Sequence, residues 1–500
     1  MKNQQTISLK DLPTMEYGMF HHEVLQLLKN ENFHCVNYYA FPYKNILKFI
    51  CCIADDQHGD FKILSHELPL EGKRQLTSIT KDIYSMHVFE REISENFGVD
   101  FIYSPWKKPI RYAFNRANRN LKINNYPFYK IDTEELHEVG VGPIHAGVIE
   151  PGHFRFLCNG ENVLHLEIQL GWQHRGIEEL YLSKPSLLQR SILSESIAGD
   201  TSVGHGTTFA LLMESLSQIK VQKNIHIERT IGLELERIAM HIGDLSNINI
   251  GMAYQLGSSV LGALRTPVIN FMQKWCGNRF GKSLIRTGGS HFPLTPPLQS
   301  DLKNLLDNFS SRFATMSEKM FALPTVLMRM ENIGKVTKKQ MHLIGAVGMA
   351  ARMAGLPRDI RKTHPYSAYT ENQIPSITLP NGDVWARMML RKMEIDNSIA
   401  YIRILLSLLE NLPTKIQKPI GNSGLSLTPN SFTLSVTEGW RGEIVHNAIT
   451  DEHGKIQHYK VKDPSFHNWM ALALSLRDLE ISDFPINNKS YNLSYCGHDL

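Results

Sequence analysis

Short apolar runs and longer stretches with helical spacing succeed one another along the chain. Residues 45–54 form a short, mostly apolar run, residues 61–68 partly alternate apolar and polar side chains, and turn-forming residues separate the two segments. This pattern predicts a β-hairpin. Residues 86–97 then place apolar side chains at helical spacing, and Gly98 follows as a typical helix-ending residue.

The later part of the chain opens with strands and continues mainly as helix. Apolar residues dominate 153–157 and 163–170 on either side of a turn, which predicts a second pair of strands. Residues 231–245 carry apolar side chains at spacings of four and three, typical of a packed helical bundle. Another face of that helix carries Arg237, His241 and Asp244, and we expect this face to be solvated or to form an interface.

These patterns predict an α+β protein with two domains. We expect a small N-terminal α/β domain at 1–115, a basic linker at 116–138, and a large domain at 139–500 built on a helical bundle with flanking β-strands. A length of 500 residues is enough for two or three domains.

Composition narrows the function classes. The net charge of +4 is too small to indicate a nucleic-acid partner. The chain contains no run of 18 apolar residues and no signal-like start, so membrane association is expected only through partner proteins. The six cysteines form no C-x-x-C pair, which argues for reduced thiols and against an iron–sulfur cluster or structural zinc site in this chain.

Chemistry-bearing residues are most crowded at 195–205 (ESIAGDTSVGH), where a long helical pattern begins. Small residues at a helix start allow a cofactor or another segment to approach closely. The stretch resembles the first metal-binding motif of nickel–iron hydrogenase large subunits, E-R-x-C-G-x-C-x-x-x-H. Glu195, Gly199 and His205 match that motif, whereas Ala198 and Thr201 stand at its two cysteine positions.

The second hydrogenase motif, D-P-C-x-x-C, resembles the C-terminal residues 492–500, with Ser494 and Gly497 at the cysteine positions. All four thiolate positions are therefore filled by other residues. Alanine and glycine have no donor atom, and a neutral hydroxyl is a poor ligand for a soft metal. We expect no metal in this chain, and in particular no nickel–iron centre.

Further motifs resemble the same family and its relative, the 49-kDa-type quinone-site subunit of respiratory complex I. His145 matches the histidine of the quinone loop, and Asp463 lies in a K-D-P-S-F motif. The other matching positions, for which a structural role is expected, are His174, Arg175, Glu178, Arg237, His241 and Arg361. At the N-terminus, Phe89-Glu90-Arg91-Glu92 resembles a signature of the 30-kDa-type complex I subunit, where these charged residues are expected to dock one domain against another.

The 30-kDa-type and 49-kDa-type regions lie in one chain. In this arrangement the chain resembles the large subunit of group-four membrane-bound hydrogenases of the formate hydrogenlyase type. The resemblance implies an oxidoreductase subunit that packs against a small iron–sulfur subunit and antiporter-like membrane subunits, peripherally on the cytoplasmic face of the inner membrane. Electrons from a cluster in the partner would reach a quinone, coupled to ion translocation. No other cofactor is expected in this chain.

Within that resemblance, His145 is the expected catalytic residue. The expected quinone cavity is lined by His145, Ala198, Gly199, Asp200, Thr201, His205 and Ser494. The tyrosine that pairs with the loop histidine in complex I falls on Gly199, and Asp200, Thr201 or His205 would substitute for it. The alternative is a non-catalytic hub that docks an iron–sulfur subunit onto an antiporter-like membrane module. Under that alternative, His145 is a capped loop histidine without a ligand.

Overall fold

The structure, a computed structural model, describes residues 1–131, 133–146, 149–412, 417–421 and 425–500. These residues form a mixed α/β structure. The strands are β1 (Thr6–Ser8), β2 (Phe33–Tyr43), β3 (Ile46–Asp55), β4 (Asp60–Pro69), β5 (Gln75–Thr77), β6 (Asp100–Ile102), β7 (His137–Val141), β8 (His153–Asn159), β9 (Asn162–Gln169), β10 (Ser431–Glu438), β11 (Glu443–Thr450), β12 (Ile456–Lys462) and β13 (Leu479–Glu480).

Helices make up most of the rest. They are α1 (Tyr17–Leu28), α2 (His87–Phe97), α3 (Ile177–Ser183), α4 (Leu187–Ser194), α5 (Ser202–Leu216), α6 (Lys223–Gly251), α7 (Gln255–Cys276), α8 (Pro296–Ala322), α9 (Pro324–Leu327), α10 (Lys338–Leu343), α11 (Gly348–Arg352), α12 (Ile360–Thr363), α13 (Val384–Glu410), α14 (Ser465–Ser475), α15 (Phe484–Tyr491) and α16 (Tyr495–Asp499).

The predicted N-terminal hairpin and helix are confirmed. Strands β2, β3 and β4 form an antiparallel sheet in that order, and α1 and α2 contact it. Gly98 ends α2 in the left-handed conformation, with φ of 65°, which a residue without a Cβ adopts at low cost.

The second predicted strand pair is also confirmed, as β8 and β9 in a sheet of order β13-β9-β8-β7. The helical bundle follows: α6 packs against α7 and α13, and α8 packs against α7 and α13. The apolar seam predicted at 231–245 lies in the main hydrophobic core.

A third sheet, of order β1-β10-β11-β12, joins the two ends of the chain. Thr6 of β1 pairs with Thr433 of β10, and their hydroxyl oxygens lie 2.7 Å apart. Helix α5 packs on β10 and β11 and is thereby fixed at its start. The boundaries 1–115, 116–138 and 139–500 stay a prediction, and this pairing contributes a strand from the first region to a sheet of the last.

The polar stripe of α6 is not solvated. Arg237, His241 and Asp244 are all buried, so the expectation of a solvated face was wrong. Arg237 and Asp244 face charged and polar groups of neighbouring elements inside the protein, which a helical pattern alone does not distinguish from water, and His241 packs against Trp440. Over the described part of the chain, no helix combines the length and apolar character needed to cross a bilayer.

Candidate functional site at the start of α5

Arg175 holds two of the motif segments together. Its guanidinium donates to the carbonyls of Ser196 (2.7 Å) and Ile197 (2.8 Å), just before α5, and to the carbonyl of Cys496 (3.1 Å) in the C-terminal turn. Hydrogen bonds from a charged donor are stronger than neutral ones. Arg175 therefore fixes the C-terminal turn beside the start of α5.

The other residues of that motif serve the same arrangement. His174 donates through Nδ1 to the carbonyl of Asp499 (2.8 Å), and the Gly176 amide donates to the Leu500 carbonyl (3.1 Å). The Glu178 carboxylate accepts from the Val461 amide (3.0 Å) and so reaches the adjacent sheet. The structure places these side chains around the C-terminal turn, in positioning rather than reactive contacts.

His145 lies on the loop that follows β7, and this loop contacts the C-terminal turn. Its Nε2 donates to the carbonyl of Gly152, 2.8 Å away. Gly152 packs on the ring of Tyr495, and the Glu150 carboxylate accepts from the Cys496 amide at 3.4 Å. The side chain of His145 is half-buried. Gly147 and Val148, which continue this loop, lie outside the described residues.

The residues that begin α5 differ in accessibility. Ala198 is buried, whereas Gly199 is exposed, and a Cβ on Gly199 would meet no atom within 4 Å. Asp200 accepts two bonds of 2.7 Å from the Arg441 guanidinium, and its carbonyl accepts from Trp440 Nε1. Burial would raise the pKa of Asp200, but Arg441 outweighs it and lowers that pKa, so the side chain is a carboxylate.

Glu236, which sequence reasoning missed, caps α5. Its carboxyl group on α6 accepts from the amides of Val203 (2.7 Å) and Gly204 (3.1 Å). Burial raises the pKa of Glu236 to about 8, and the two amide bonds oppose that rise. The only sequence signal was a second acidic residue in the helix motif that contains Arg237.

His205 belongs to a buried hydrogen-bonded chain. Its Nε2 lies 3.2 Å from Oδ2 of Asp463, its Nδ1 lies 3.1 Å from Nε2 of His446, and Nδ1 of His446 lies 2.7 Å from the Tyr459 hydroxyl. Each contact has one proton if Tyr459 donates to His446, His446 to His205, and His205 to Asp463. Burial holds the pKa of His446 well below its usual range, which agrees with a neutral ring.

The four thiolate positions do not fit a nickel–iron centre. A Cβ on Gly497 would lie 2.6 Å from Cγ of Asp463, so the carboxylate fills the space that a cysteine would need. Ser494 Oγ accepts from the Gly497 amide at 2.9 Å, and Thr201 Oγ1 donates to Asp200 at 3.1 Å. Ala198 offers no donor atom. These residues form a closed hydrogen-bonded core rather than a set of soft ligands.

Cys496 does not replace the missing thiolates. Burial raises the pKa of its thiol to about 12, with a further rise from the charge of Glu150. The metal-binding species is the thiolate, which this environment disfavours. Within the described ranges, no cluster of three or more histidine, cysteine, aspartate or glutamate side chains is arranged to hold a metal ion.

Behind α5, the motif residues of α6 and α13 form an ion network. Arg361 donates to both oxygens of Glu394 (3.0 Å each) and to Asp359 (2.8 Å). Arg237 lies 3.3 Å from Glu234. His241 lies edge-on to Trp440, with neither ring nitrogen bonded within the described structure. The predicted structural residues Arg237, His241 and Arg361 are thus interior.

Residues 258–499 match the model of the respiratory-chain NADH dehydrogenase 49-kDa subunit family. The chain is 26% identical over 431 residues to hydrogenase-4 component G of Escherichia coli, covering 83% of this chain and 74% of that protein. It is 25% identical over 439 residues to formate hydrogenlyase subunit 5 of the same organism, covering 83% and 75%.

An NADH-quinone oxidoreductase subunit of Dehalococcoides mccartyi is 27% identical over 356 residues, covering 69% of this chain and 93% of that protein. The chain is therefore similar to the large subunits of group-four hydrogenases and complex I, and its match to the 49-kDa subunit family covers just under half of its length. The resemblance predicted from the motifs is confirmed.

Proposed function

We propose that this chain is the large subunit of a membrane-associated oxidoreductase complex and passes electrons from an iron–sulfur cluster of a small partner subunit to a quinone-like acceptor. Its relatives are named as hydrogenase, formate hydrogenlyase and NADH-quinone oxidoreductase subunits. The acceptor would bind between the His145 loop, residues 198–200 and the C-terminal turn. Antiporter-like partner subunits would couple this transfer to ion movement, on the cytoplasmic face of the inner membrane.

The observation that carries this proposal is the state of His145. The Gly152 carbonyl can only accept, so Nε2 of His145 carries a proton and Nδ1 is the remaining nitrogen. When the ring is protonated, Nδ1–H can donate to a quinone oxygen while the bond to Gly152 persists. Reduction of a quinone to a quinol takes two electrons and two protons. The partner cluster would supply the electrons and His145 one proton, with the second coming from water.

Space beside the helix start supports the same site. Gly199 is exposed and has open space around its Cα, so an acceptor ring can approach the backbone there. Thr201 donates to Asp200, and Arg441 donates to both side chains. Because these bonds occupy them, we do not propose Asp200 or Thr201 as substitutes for the quinone tyrosine. His205 is fully buried in its own chain of hydrogen bonds. The acceptor would be held chiefly by His145.

We do not propose hydrogen chemistry at a nickel–iron centre. Asp463 and Ser494 fill the space beside Gly497, one of the positions that match a cysteine of the hydrogenase motifs. The second candidate function is a non-catalytic hub. The observation that favours it is the hydrogen-bonded chain from Tyr459 to Asp463, which stabilises the site without any ligand. A hub would dock an iron–sulfur subunit onto the membrane module.

Photolabelling separates the two functions. The purified complex would be irradiated with a photoreactive short-chain quinone, and labelled peptides would be located by mass spectrometry. We expect label near residues 142–146 that His145→Ala reduces at least tenfold. His137→Ala is the matched control, since His137 is an exposed histidine on the preceding strand. Equal labelling of wild type and His145→Ala would overturn the quinone proposal and favour the hub.

A further inference from the structure

A cavity of about 540 Å³ lies between the N-terminal region and the sheet that contains β8 and β9. Helix α2 and residues 105–110 form one wall, and β9 and α14 form the other. Its size is within the range of about 300–1,000 Å³ typical of small-molecule sites. No lining residue comes from 142–146 or 194–205, and His498 is the one lining residue that belongs to the C-terminal turn, so the cavity adjoins the proposed acceptor site without including His145 or the start of α5.

The buried guanidinium group of Arg91 lines the cavity and has no ion-pair partner within the described residues. Arg91 donates through Nε to the Lys108 carbonyl and through Nη2 to the Pro109 carbonyl, both at 2.7 Å, and it stacks 4.1 Å from the ring of Trp106. No carboxylate within the described residues forms an ion pair with it. A buried charge is costly unless a charge of opposite sign accompanies it.

The acidic residue of the lining is already neutralised. Glu167 pairs with Lys108 and accepts from the Tyr129 amide at 2.7 Å. Arg477 stands exposed on the rim and forms no ion pair within the described residues. Arg91 and Arg477 therefore lack an ion-pair partner within the described residues, and Glu95 and Glu167 attract Arg91 only from beyond ion-pair distance.

Buried side chains of the lining that lack hydrogen-bond partners include His87 and Trp469. His87 is 2% exposed, stacks 4.8 Å from Trp106, and has no partner for either ring nitrogen. Trp469 is 5% exposed, and its Nε1 is also unpaired. An unpaired buried polar group destabilises the folded protein. An imidazole and an indole both present N–H donors, so an acceptor oxygen in the cavity would relieve that cost.

We propose that this cavity binds an amphiphilic anion with one carboxylate head and one hydrocarbon chain. The carboxylate would lie near Arg91, His87 and Arg477, where it meets the positive charge and the unpaired donors. The chain would lie along the apolar part of the wall, which includes Val88, Leu166, Phe466, Met470 and Ala473. The volume suits a single medium-length chain. This proposal does not depend on the proposed electron transfer.

The test is competitive equilibrium dialysis of radiolabelled decanoate with the purified full-length chain. We expect one decanoate per chain. Decanol and decylammonium, which have the same chain length without the negative charge, should compete at least tenfold more weakly than unlabelled decanoate. Equal competition by all three, or no saturable binding of decanoate, would overturn the proposal.

Variants then locate the site. Arg477→Gln and His87→Phe should each weaken decanoate binding about three- to tenfold, and His87→Phe retains the stacking on Trp106. Ala473→Trp should abolish binding by filling the cavity. Arg312→Gln is the matched control, because Arg312 is exposed on α8, away from the cavity. If Arg477→Gln, Ala473→Trp and the control Arg312→Gln all bind decanoate as tightly as wild type, decanoate binds outside this cavity and the proposal is wrong.

Discussion

Nη2 of Arg352 and Oε1 of Glu438 face each other across 3.9 Å in the protein interior, and neither atom has a hydrogen-bond partner within the described structure. Burial raises the pKa of Glu438 to about 8, and the neighbouring Asp359 carboxylate adds to the rise. The Glu438 carboxyl group is therefore protonated at neutral pH. Three buried arginines are then balanced by three carboxylates: Arg237, Arg352 and Arg361 by Glu234, Asp359 and Glu394.

This balance predicts opposite outcomes for two matched substitutions. Glu438→Gln should change the free energy of unfolding at pH 4.5 by less than about 1 kcal/mol, because at that pH an amide replaces an acid of similar shape that is neutral in the folded protein. Glu394→Gln should destabilise the protein by about 3–5 kcal/mol, because Arg352 and Arg361 lose their shared counter-charge. Urea unfolding of both variants checks this, and similar losses in both would contradict the protonated state of Glu438.

The pH dependence of stability follows from the same group. Between pH 4.5 and about 8 the folded protein keeps a proton on Glu438 that the unfolded chain has released. The contribution of this proton is full at low pH and is lost as the pH rises towards 8. Glu236, with its pKa raised to about 8, acts in the same direction.

We therefore expect Glu438 to make the unfolding free energy of wild type fall more with pH, between pH 5 and 8, than that of Glu438→Gln. Buried histidines such as His446, whose pKa is lowered from 6.5, act in the opposite direction in both proteins. The two slopes should differ by up to about 1.4 kcal/mol per pH unit, the value for one proton. Urea titrations at four pH values would measure both slopes. An identical slope in the variant would show that Glu438 does not titrate in this range.

The contact between Gly497 and Asp463 predicts a position-specific effect of adding one methyl group. Gly497→Ala should lower the free energy of unfolding by about 1–3 kcal/mol, because its Cβ would overlap Asp463 and Ser494 Oγ. Gly199→Ala is the control, since its Cβ meets no atom within 4 Å, and its effect should stay within about 0.5 kcal/mol. Thermal and urea unfolding would compare them, and equal losses would refute the close packing.

Open space at Gly199 predicts a gain of function under the quinone proposal. The Cβ that Gly199→Tyr adds would meet no atom within 4 Å, and the variant would add a hydroxyl donor at the position of the quinone tyrosine. We expect photoreactive quinone to label the Gly199→Tyr complex several-fold more than wild type. Gly199→Phe has the same ring without the hydroxyl and should show no such gain. Equal labelling of the two variants would mean that the hydroxyl makes no bond to the quinone.

Much of this fold follows from local sequence pattern. The β3–β4 hairpin, α2 with its Gly98 end, and the β8–β9 pair were predicted because their apolar periods and turn residues are local signals, whereas β2 was not predicted. The seam of α6 was predicted for the same reason. The polar stripe with Arg237 was misjudged, because buried charges look like surface charges until their partners are known, and Glu394 lies more than 150 residues away.

The candidate site shows the same limit. The motif at 195–205 located the start of α5, and the missing cysteines were visible in the sequence. The role of Asp463 in filling that space was not, since it depends on the approach of a glycine 34 residues later. His446 and Tyr459 entered the chain with His205 from two different strands, which no spacing rule connects.

Pairing of β1 with β10 has a consequence for the order in which the molecule is made. Residues 6–8 leave the ribosome more than 400 residues before Ser431–Glu438, the strand they pair with. At synthesis rates of about 5–20 residues per second, this wait is roughly 20–85 s. The sheet that supports α5 therefore forms only after nearly the whole chain has emerged. Partner subunits that recognise this sheet would select against unfinished chains.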